Sequence, residues 1–186
     1  MGFYSRNQTG PIATFTHMVP LVVLIGIPGA GKSTIAQRWQ SREPGRIVIS
    51  TDTIRAQRFG NAGTQGPWPV IWRDVCDHWQ RAITAIQAGH QRAVLFDATH
   101  ANRRDRRRTL QTARQLGFTT IDGYWLNLPL NTCLDRNHRR SRQVPKTIIQ
   151  RMHRQLQHHP PTLADGFDHL YTLGPDLDNL WHYPQD

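Results

Sequence analysis

LVVLIGIPGAGKST, residues 21–34, joins a wholly apolar run to a glycine-rich segment that ends in Lys, Ser and Thr. Residues 21–25 have the composition of a strand that is buried on both faces of a parallel sheet. The segment after them matches the P-loop pattern Gly-x4-Gly-Lys-Ser, and a predicted helix follows it. A strand, this loop and a helix in succession predict an α/β domain that binds nucleotide phosphates.

The loop residues have the chemistry that phosphate binding needs. Glycines allow backbone N–H groups to close around phosphates, and the positive end of the following helix attracts them. We expect Lys32 to neutralise the β- and γ-phosphates of ATP, and the Ser33 hydroxyl to bind Mg²⁺. The alternative is a chance glycine-rich turn before an amphipathic helix. The residues expected to bind the ATP phosphates are Gly26, Pro28, Gly29, Ala30, Gly31, Lys32, Ser33 and Thr34.

Strand and helix patterns alternate along the rest of the chain. Further strands are predicted at residues 46–50, 93–96 and 119–126, with an edge strand at 169–173. Helices are predicted at residues 32–40, from 68 to a stop at Gly89, and at 103–116, 130–140 and 146–158. The fold class is therefore α/β, a P-loop NTPase or kinase fold with a parallel sheet of four to five strands flanked by helices. Within the second helix, Trp68, Trp72 and Trp79 recur at helical spacing, which predicts a core stripe rather than a base-stacking platform.

The length of 186 residues suits one domain, placed at residues 18–186 after a polar tail at residues 1–17 that is predicted to be flexible. The longest apolar run is interrupted by Pro20 and is too short to cross a bilayer. Cys76 and Cys133 form no metal-type or redox-type pair, which favours buried apolar fillers in a reducing compartment. We expect a cytoplasmic protein with no membrane segment and no obligate protein partner.

Positive charge dominates the composition. Lys and Arg number 23 against 13 Asp and Glu, the net charge is +10, and all of these cations except Lys32 and Lys146 are arginines. Arginine is suited to bidentate phosphate contacts and to stacking on bases. The arginines concentrate in residues 103–114 and 136–154, whereas residues 160–186 contain no Lys or Arg. This distribution indicates a polyanionic partner such as nucleic acid, with genome composition and solubility as the alternative explanation.

An aspartate and an arginine follow the second predicted strand, in Ser50-Thr-Asp52-Thr-Ile-Arg55. In an open α/β sheet the carboxyl ends of the strands face the ligand crevice. There, the Asp52 carboxylate can accept a proton from an attacking hydroxyl, and Arg55, one helical turn later, can hold a phosphate. The alternative is that Asp52 is an ordinary helix N-cap.

The third predicted strand is followed by Asp97-Ala-Thr99-His100. A carboxylate at that position typically orients Mg²⁺ or its water ligands, so Asp97 is a candidate metal residue, and Asp97 and Thr99 are candidates for substrate binding. The alternative is an aspartate that starts a turn. The ten histidines form no i,i+4 metal pair with a carboxylate motif, and His100 has no assigned role.

Residues 136–145, Arg-Asn-His-Arg-Arg-Ser-Arg-Gln-Val-Pro, form a dense arginine segment before a predicted helix. Arginines supplied in cis stabilise the charge that develops on a transferred phosphoryl group, so this segment is interpreted as an arginine-rich lid. A solvated basic helix end is the alternative. A second run, residues 103–108, is either part of a nucleic-acid path or a solvated helix face.

In combination, these motifs resemble those of the polynucleotide 5′-hydroxyl kinase family, the phage-type end-healing kinases of nucleic-acid repair. The resemblance covers residues 19–155 and is most specific in the lid that ends in Val-Pro. It implies that Asp52 is the general base that activates a 5′-OH and that Arg55 grips the phosphate on the 3′ side of the terminal nucleotide. It also implies that Arg136 and Arg140 are lid arginines that contact the donor phosphates.

The chain departs from this family at His100, where relatives commonly have Asn, and it contains no recognisable phosphatase. Three activities are consistent with the residues. The first is Mg²⁺-dependent transfer of the γ-phosphoryl group of ATP to the 5′-OH of DNA or RNA. The second is kinase chemistry on another acceptor, namely an aminoacyl-tRNA, a sugar, an antibiotic or a nucleotide sugar. The third is a nucleotide-dependent RNA-binding ATPase that transfers no phosphate to its partner.

Overall fold

The computed structural model describes residues 18–64 and 66–174. Within them five strands form one sheet, namely β1 (Pro20–Ile25), β2 (Arg46–Ser50), β3 (Ala93–Asp97), β4 (Thr120–Leu126) and β5 (His169–Leu173). Their order is β2-β3-β1-β4-β5, and every pairing is parallel. The predicted α/β fold with a parallel sheet is confirmed. The predicted tail at residues 1–17 lies outside the described residues, and the single domain at 18–186 stays a prediction.

Helices connect the strands: α1 (Lys32–Arg42), α2 (Thr51–Phe59), α3 (Trp68–Gln87), α4 (Arg103–Leu116), α5 (Leu130–His138) and α6 (Lys146–His158). Helix α2 is missing from the sequence-based prediction because its nine residues bury only Thr51 and Ile54, which is too few to mark an apolar stripe. Helix α5 ends at His138, two residues before its predicted end. The arginines that follow it are therefore in a loop rather than in a helix.

The strand connections place the candidate residues at one edge of the sheet. From β1 the chain crosses to β2 on one side of β1. From β3 it crosses over β1 to reach β4 on the other side of β1. In parallel sheets such a switch point opens a crevice at the carboxyl ends of the strands. These ends are level, because Asp97 at the end of β3 pairs with Leu24 of β1 and with Ser50 of β2.

The tryptophans of α3 differ in burial. Trp79 is fully buried and meets Phe96 and Phe118 edge-on, with ring centroids 5.0 and 5.6 Å away. Trp72 is only partly buried, and Trp68 is 50% exposed. The predicted core stripe is correct for Trp79 and wrong for Trp68, because helical spacing alone does not tell how far the core extends along a helix.

Arg106 of α4 is completely buried. Its Nε and Nη2 donate to Asp165 Oδ2 over 2.9 and 2.7 Å, and its Nη1 donates to the His100 carbonyl over 3.0 Å. Asp165 belongs to a short 3₁₀ turn, Leu163–Asp165. Arg106 therefore belongs to the core, although it is part of the basic run at residues 103–108. Its contacts join α4 to the segment after α6.

No helix in the described ranges has both the length and the apolarity to cross a bilayer. Both cysteines are free thiols, but they differ in environment, because Cys133 is buried and Cys76 is half-buried. The prediction of buried fillers therefore holds for Cys133 alone.

Candidate active site

The P-loop between β1 and α1 is held from two sides. Gly29 and Gly31 have left-handed φ values of 87° and 98°, which favour glycine. At Gly29 space is also limiting, since a Cβ would lie 2.1 Å from the Cys133 carbonyl oxygen of α5. On the other side, the Gly26 N–H donates to the Thr99 carbonyl over 3.1 Å. Three more predicted phosphate-binding residues lie in the same segment: Pro28 at the cleft, Ala30 buried, and Thr34 exposed in the first turn of α1.

Lys32 is the first residue of α1, and its ammonium group lies over the loop. Its Nζ donates to the carbonyls of Gly26 and Ile27 over 2.9 and 3.2 Å. These are its acceptors among the described residues, so one of its three N–H groups is left for a phosphate oxygen. Loss of solvent lowers the pKa of Lys32, the Asp97 carboxylate opposes this change, and the Arg140 guanidinium adds to it. A bound phosphate would favour the charged form of the lysine.

Ser33 and Asp97 form a pair of oxygen ligands at the start of the cleft. Ser33 Oγ donates to Asp97 Oδ2 over 3.0 Å, and Asp97 is buried at the end of β3. Mg²⁺ takes such ligands, keeps several waters and is usually shared with substrate phosphates. No group of three or more His, Cys, Asp and Glu side chains in the described part of the chain could hold a metal alone. The pair therefore fits Mg²⁺ that arrives with a nucleotide, where the ion would neutralise charge on the phosphates.

Asp52 lies in the first turn of α2 with its carboxylate in the cleft. The N-cap of α2 is Ser50, whose hydroxyl accepts a hydrogen bond from the Asp52 N–H over 3.2 Å. The alternative interpretation of Asp52 as the N-cap is therefore wrong. Its carboxylate instead accepts hydrogen bonds from Arg55 Nη1 over 2.9 Å and from Arg142 Nη1 over 3.1 Å. The side chain is 57% exposed, so it remains accessible to an acceptor molecule.

Arg55 has guanidinium N–H groups that are available to a ligand. Its side chain is only 13% exposed, and one of its N–H groups pairs with Asp52. Its Nε is buried without a hydrogen-bond partner among the described residues. A buried guanidinium donor without a partner is costly, and an anionic ligand in the cleft would satisfy it.

Residues 139–145 of the arginine-rich lid form a loop between α5 and α6, whereas residues 136–138 belong to the end of α5. Asn137 closes it, because its side-chain amide donates to the Val144 carbonyl and accepts from the Val144 N–H, both over 3.0 Å. Arg140 lines the cleft, and its charge acts on Lys32. Arg136 lies on an exposed face of α5 and is not among the described residues that line the cleft. The structure thus places Arg140 and Arg142 at the cleft, and the role of Arg136 at the donor phosphates stays a prediction.

His100 follows β3 in the left-handed region at φ 51°, although it is not a glycine. Its Nδ1 lies 3.0 Å from the Leu24 carbonyl oxygen, and its ring meets Phe96 edge-on at 5.1 Å. Loss of solvent lowers its pKa to about 4, against the hydrogen bonds to the Leu24 and Ala98 carbonyls. The imidazole is therefore neutral near pH 7 and supports the end of the sheet.

One cleft with a volume of about 820 Å³, within the usual size of ligand pockets, is lined by Lys32, Ser33, Asp52, Arg55, Asp97, His100, Arg140 and Arg142. Helix α3 contributes Trp68 and Trp72, and α6 contributes Ile148, Arg151 and Met152. None of these residues has a site role in the sequence-based prediction, and neither has Arg142 by itself. For Arg142 the sequence does contain an indication of a site role, because the residue lies in the arginine-rich segment 136–145. For Trp68 the signal is its place in the tryptophan stripe, which predicts a core position instead.

Comparison with known proteins supports the assignment of the fold. A family model described as an AAA domain matches residues 21–159. Among curated proteins, the L-seryl-tRNA(Sec) kinase of Methanococcus maripaludis is 24% identical over 144 residues, which are 73% of this chain. The match covers 52% of that kinase, so the chain spans about half its length.

Two solved structures have the same fold at low identity. A chain of the Pnkp1/Rnl/Hen1 RNA repair complex is 20% identical, with a TM-score of 0.59 over 76% of this chain and 45% of that one. The tunicamycin resistance protein of Deinococcus radiodurans is 19% identical, with a TM-score of 0.56 over 82% of this chain and 86% of that one. Identities of this size support the common fold alone.

Proposed function

The chain belongs to the AAA domain family, and we propose that it is a P-loop phosphotransferase of the kinase type that phosphorylates the 5′-OH ends of DNA or RNA. ATP would be the donor and Mg²⁺ its counterion. One observation carries the proposal. The phosphate-binding residues Lys32 and Ser33 line the same cleft as Asp52, a carboxylate suited to accept a proton, and Arg55, an arginine with a donor to spare.

The proposed transfer assigns one role to each group. The acceptor hydroxyl loses its proton to the Asp52 carboxylate as its oxygen forms a bond to the γ-phosphorus. The bond between that phosphorus and the β,γ-bridging oxygen breaks, and ADP leaves. Lys32 and Arg140 face the charge that spreads over the phosphoryl oxygens, while Ser33 and Asp97 would hold Mg²⁺. Arg55 binds the phosphate that follows the terminal nucleoside of the acceptor.

A basic groove supports a polynucleotide acceptor over a small one. Arg103, Arg104, Arg107 and Arg108 line a groove of about 640 Å³ along α4. Asn102 and Gln155 line both this groove and the cleft, so the two lie next to each other. A strand whose 5′ end lies at Asp52 could extend into the groove, where arginines would neutralise its phosphates. One structural neighbour belongs to an RNA repair complex, which agrees with this acceptor class.

The direct test is incubation of the pure protein with γ-labelled ATP and 5′-OH oligonucleotides of DNA and of RNA. Label on the 5′ end is expected for at least one of them, and ATP hydrolysis without labelled oligonucleotide would contradict the proposal. Arg55→Ala should weaken acceptor use and lower the dependence of binding on salt by a slope of roughly 0.7–0.9, as expected for one lost phosphate contact.

A second acceptor class is favoured by one specific observation. The tunicamycin resistance protein matches over 86% of its own length, which is a fuller match than that of the repair-complex chain. The cleft of about 820 Å³ is also large enough for a compact antibiotic or sugar. A parallel screen of such small acceptors distinguishes the two classes, because the polynucleotide proposal requires that oligonucleotides outcompete them.

A further inference from the structure

Trp68 and Trp72 form a stacked aromatic surface inside the cleft. Their ring centroids are 5.9 Å apart with an interplanar angle of 24°, and both side chains line the cavity that contains Asp52 and Arg55. Trp68 is the outer member and is 50% exposed. Single exposed apolar side chains are ordinary on protein surfaces. A stacked aromatic pair in a cleft beside arginines, in contrast, offers a planar surface on which a ligand can stack.

The aromatic pair is supported from beneath. Trp72 meets Trp79 edge-on, with centroids 5.5 Å apart, and Trp79 is fully buried against Phe96 and Phe118. Trp68 thus stacks on a residue that is itself packed against the core. Aromatic side chains fixed in this way lose little conformational entropy when a planar ligand stacks on them.

Helix α3 is also fixed relative to the helix that carries Asp52 and Arg55. An ion pair joins Arg58 of α2 to Asp74 of α3 over 3.3 Å. At the turn before α3, a Cβ on Gly66 would lie 2.5 Å from the Phe59 ring, so this turn packs closely on the end of α2. The aromatic surface and the acceptor-side residues therefore form one unit.

We propose that Trp68 is the stacking surface for the nucleobase of the acceptor's terminal nucleotide, an assignment that rests on the proposed function. The charged side chains of the cleft favour this occupant. A ligand that meets Trp68, Arg55 and Asp52 together must combine a planar ring, an anion and a hydroxyl. A 5′-terminal nucleotide has this composition, because its base, its 3′-phosphate and its 5′-OH radiate from one sugar. Stacking tolerates any base, so the surface selects for the presence of a base rather than for its identity.

The experiment compares two acceptors and three proteins. One oligonucleotide has a normal 5′-terminal nucleotide, and the other has an abasic tetrahydrofuran residue there with the same 5′-OH and 3′-phosphate. For the wild-type protein, the KM of the abasic acceptor should be roughly 5- to 100-fold higher, as expected for the loss of one base-aromatic stack. Trp68→Ala should raise the KM of the normal acceptor to a similar degree and leave the KM of the abasic acceptor and of ATP unchanged. Trp68→Phe, which keeps an aromatic ring, should restore most of the discrimination.

Tyr171→Ala is the matched control, because Tyr171 is an exposed aromatic residue of β5 that does not line the cleft. It should leave both KM values at the wild-type level. Equal use of normal and abasic ends by the wild-type protein would overturn the stacking proposal while leaving the kinase proposal intact.

A binding measurement keeps the two proposals separable. Adenosine 3′-monophosphate carries a base, a 3′-phosphate and a 5′-OH, and stacking on Trp68 should quench tryptophan fluorescence in the wild-type protein. Trp68→Phe should reduce this quenching, whereas ribose 3-phosphate should cause none. Quenching of this kind would support the aromatic site even if no oligonucleotide became labelled, and its absence at millimolar ligand would contradict it.

Discussion

Asp52 Oδ2 accepts a hydrogen bond from Arg142 Nη1 over 3.1 Å, and this contact joins the start of α2 to the arginine-rich lid 90 residues further along the chain. The other carboxylate oxygen accepts from Arg55, so two arginines orient the proposed base. The side chains of Asp52 and Arg142 are 57% and 39% exposed. The lid therefore reaches the acceptor side of the cleft, in addition to the donor side where Arg140 lies.

Replacement of Asp52 should separate catalysis from ATP binding. Asp52→Asn keeps the size of the side chain but removes the proton acceptor, so the rate of transfer should fall by roughly 10²–10⁴. Binding of ATP, measured by calorimetry, should be unchanged, because the donor phosphates are assigned to the P-loop. Asp135→Asn is the control, since Asp135 is an exposed residue of α5 outside the cleft. Transfer at the wild-type rate by Asp52→Asn would contradict the assignment of Asp52 as base.

Removal of the Arg142 side chain should affect the acceptor more than the donor. Arg142→Ala leaves Asp52 with Arg55 as its one remaining guanidinium partner among the described residues, so the carboxylate is less well oriented. We expect kcat/KM for the acceptor to fall about tenfold, which corresponds to roughly 1.4 kcal/mol. The KM for ATP should change by less than about twofold. Arg139→Ala, at an exposed lid position that does not line the cleft, should have no effect on either value.

The pair formed by Ser33 and Asp97 gives a prediction about metal dependence. Asp97→Asn keeps the hydrogen bond to Ser33 possible but removes the negative charge, so affinity for Mg²⁺ should fall. We expect the Mg²⁺ concentration for half-maximal transfer to rise by about tenfold or more at fixed ATP. A titration with Mg²⁺ at several ATP concentrations measures this shift. An unchanged midpoint would show that Asp97 does not hold the ion.

Sequence alone predicted the parts of the site whose determinants are local. The P-loop is a contiguous motif after an apolar strand. Asp97 ends one strand and Asp52 lies just after another, and both strands have their carboxyl ends at the same sheet edge. The parallel sheet followed from the alternation of strands and helices in the same way. These features depend on short stretches, which a single sequence displays directly.

The features that sequence reasoning missed depend on distances between remote segments. Whether Arg142 reaches the cleft depends on where α5 ends and on how Asn137 folds the lid back at Val144. Trp68 and Trp79 share one helical stripe, but only the tertiary packing decides that Trp68 lies in the cleft and Trp79 in the core. Neither distinction is encoded in spacing along the chain.

His100 should make the stability of the fold sensitive to acid. Its folded-state pKa of about 4 is below the ordinary value of 6.5, so above pH 6.5 the ring is neutral in both states. Below pH 6.5 the unfolded chain takes up a proton that the folded chain does not, and the free energy of unfolding falls until about pH 4. His100→Asn does not titrate and tolerates the left-handed backbone. Between pH 6.5 and pH 4.5 this variant should lose about 1–2 kcal/mol less stability than the wild type, as measured by urea unfolding.

Removal of one partner from the buried ion pair of Arg106 and Asp165 should destabilise the fold strongly. Burial alone would raise the pKa of Asp165, but the hydrogen bonds from Arg106 and Arg103 outweigh burial and lower it. Both side chains of the Arg106 pair are fully buried, whereas Arg103, which contacts the same carboxylate, is 44% exposed. Arg106→Met leaves a buried carboxylate without its main partner and should cost about 3–5 kcal/mol in urea unfolding.

Arg103→Met provides the matched control on the same carboxylate, and it should cost no more than about 1 kcal/mol because the Arg103 guanidinium is partly solvated and Arg106 still pairs with Asp165. The double variant Arg106→Met with Asp165→Leu removes both buried charges together, so it should recover most of the stability that Arg106→Met loses. Recovery of this kind would assign the loss to the uncompensated charge. A double variant as unstable as Arg106→Met would instead assign it to the backbone carbonyls of His100 and His159, which Arg106 also binds.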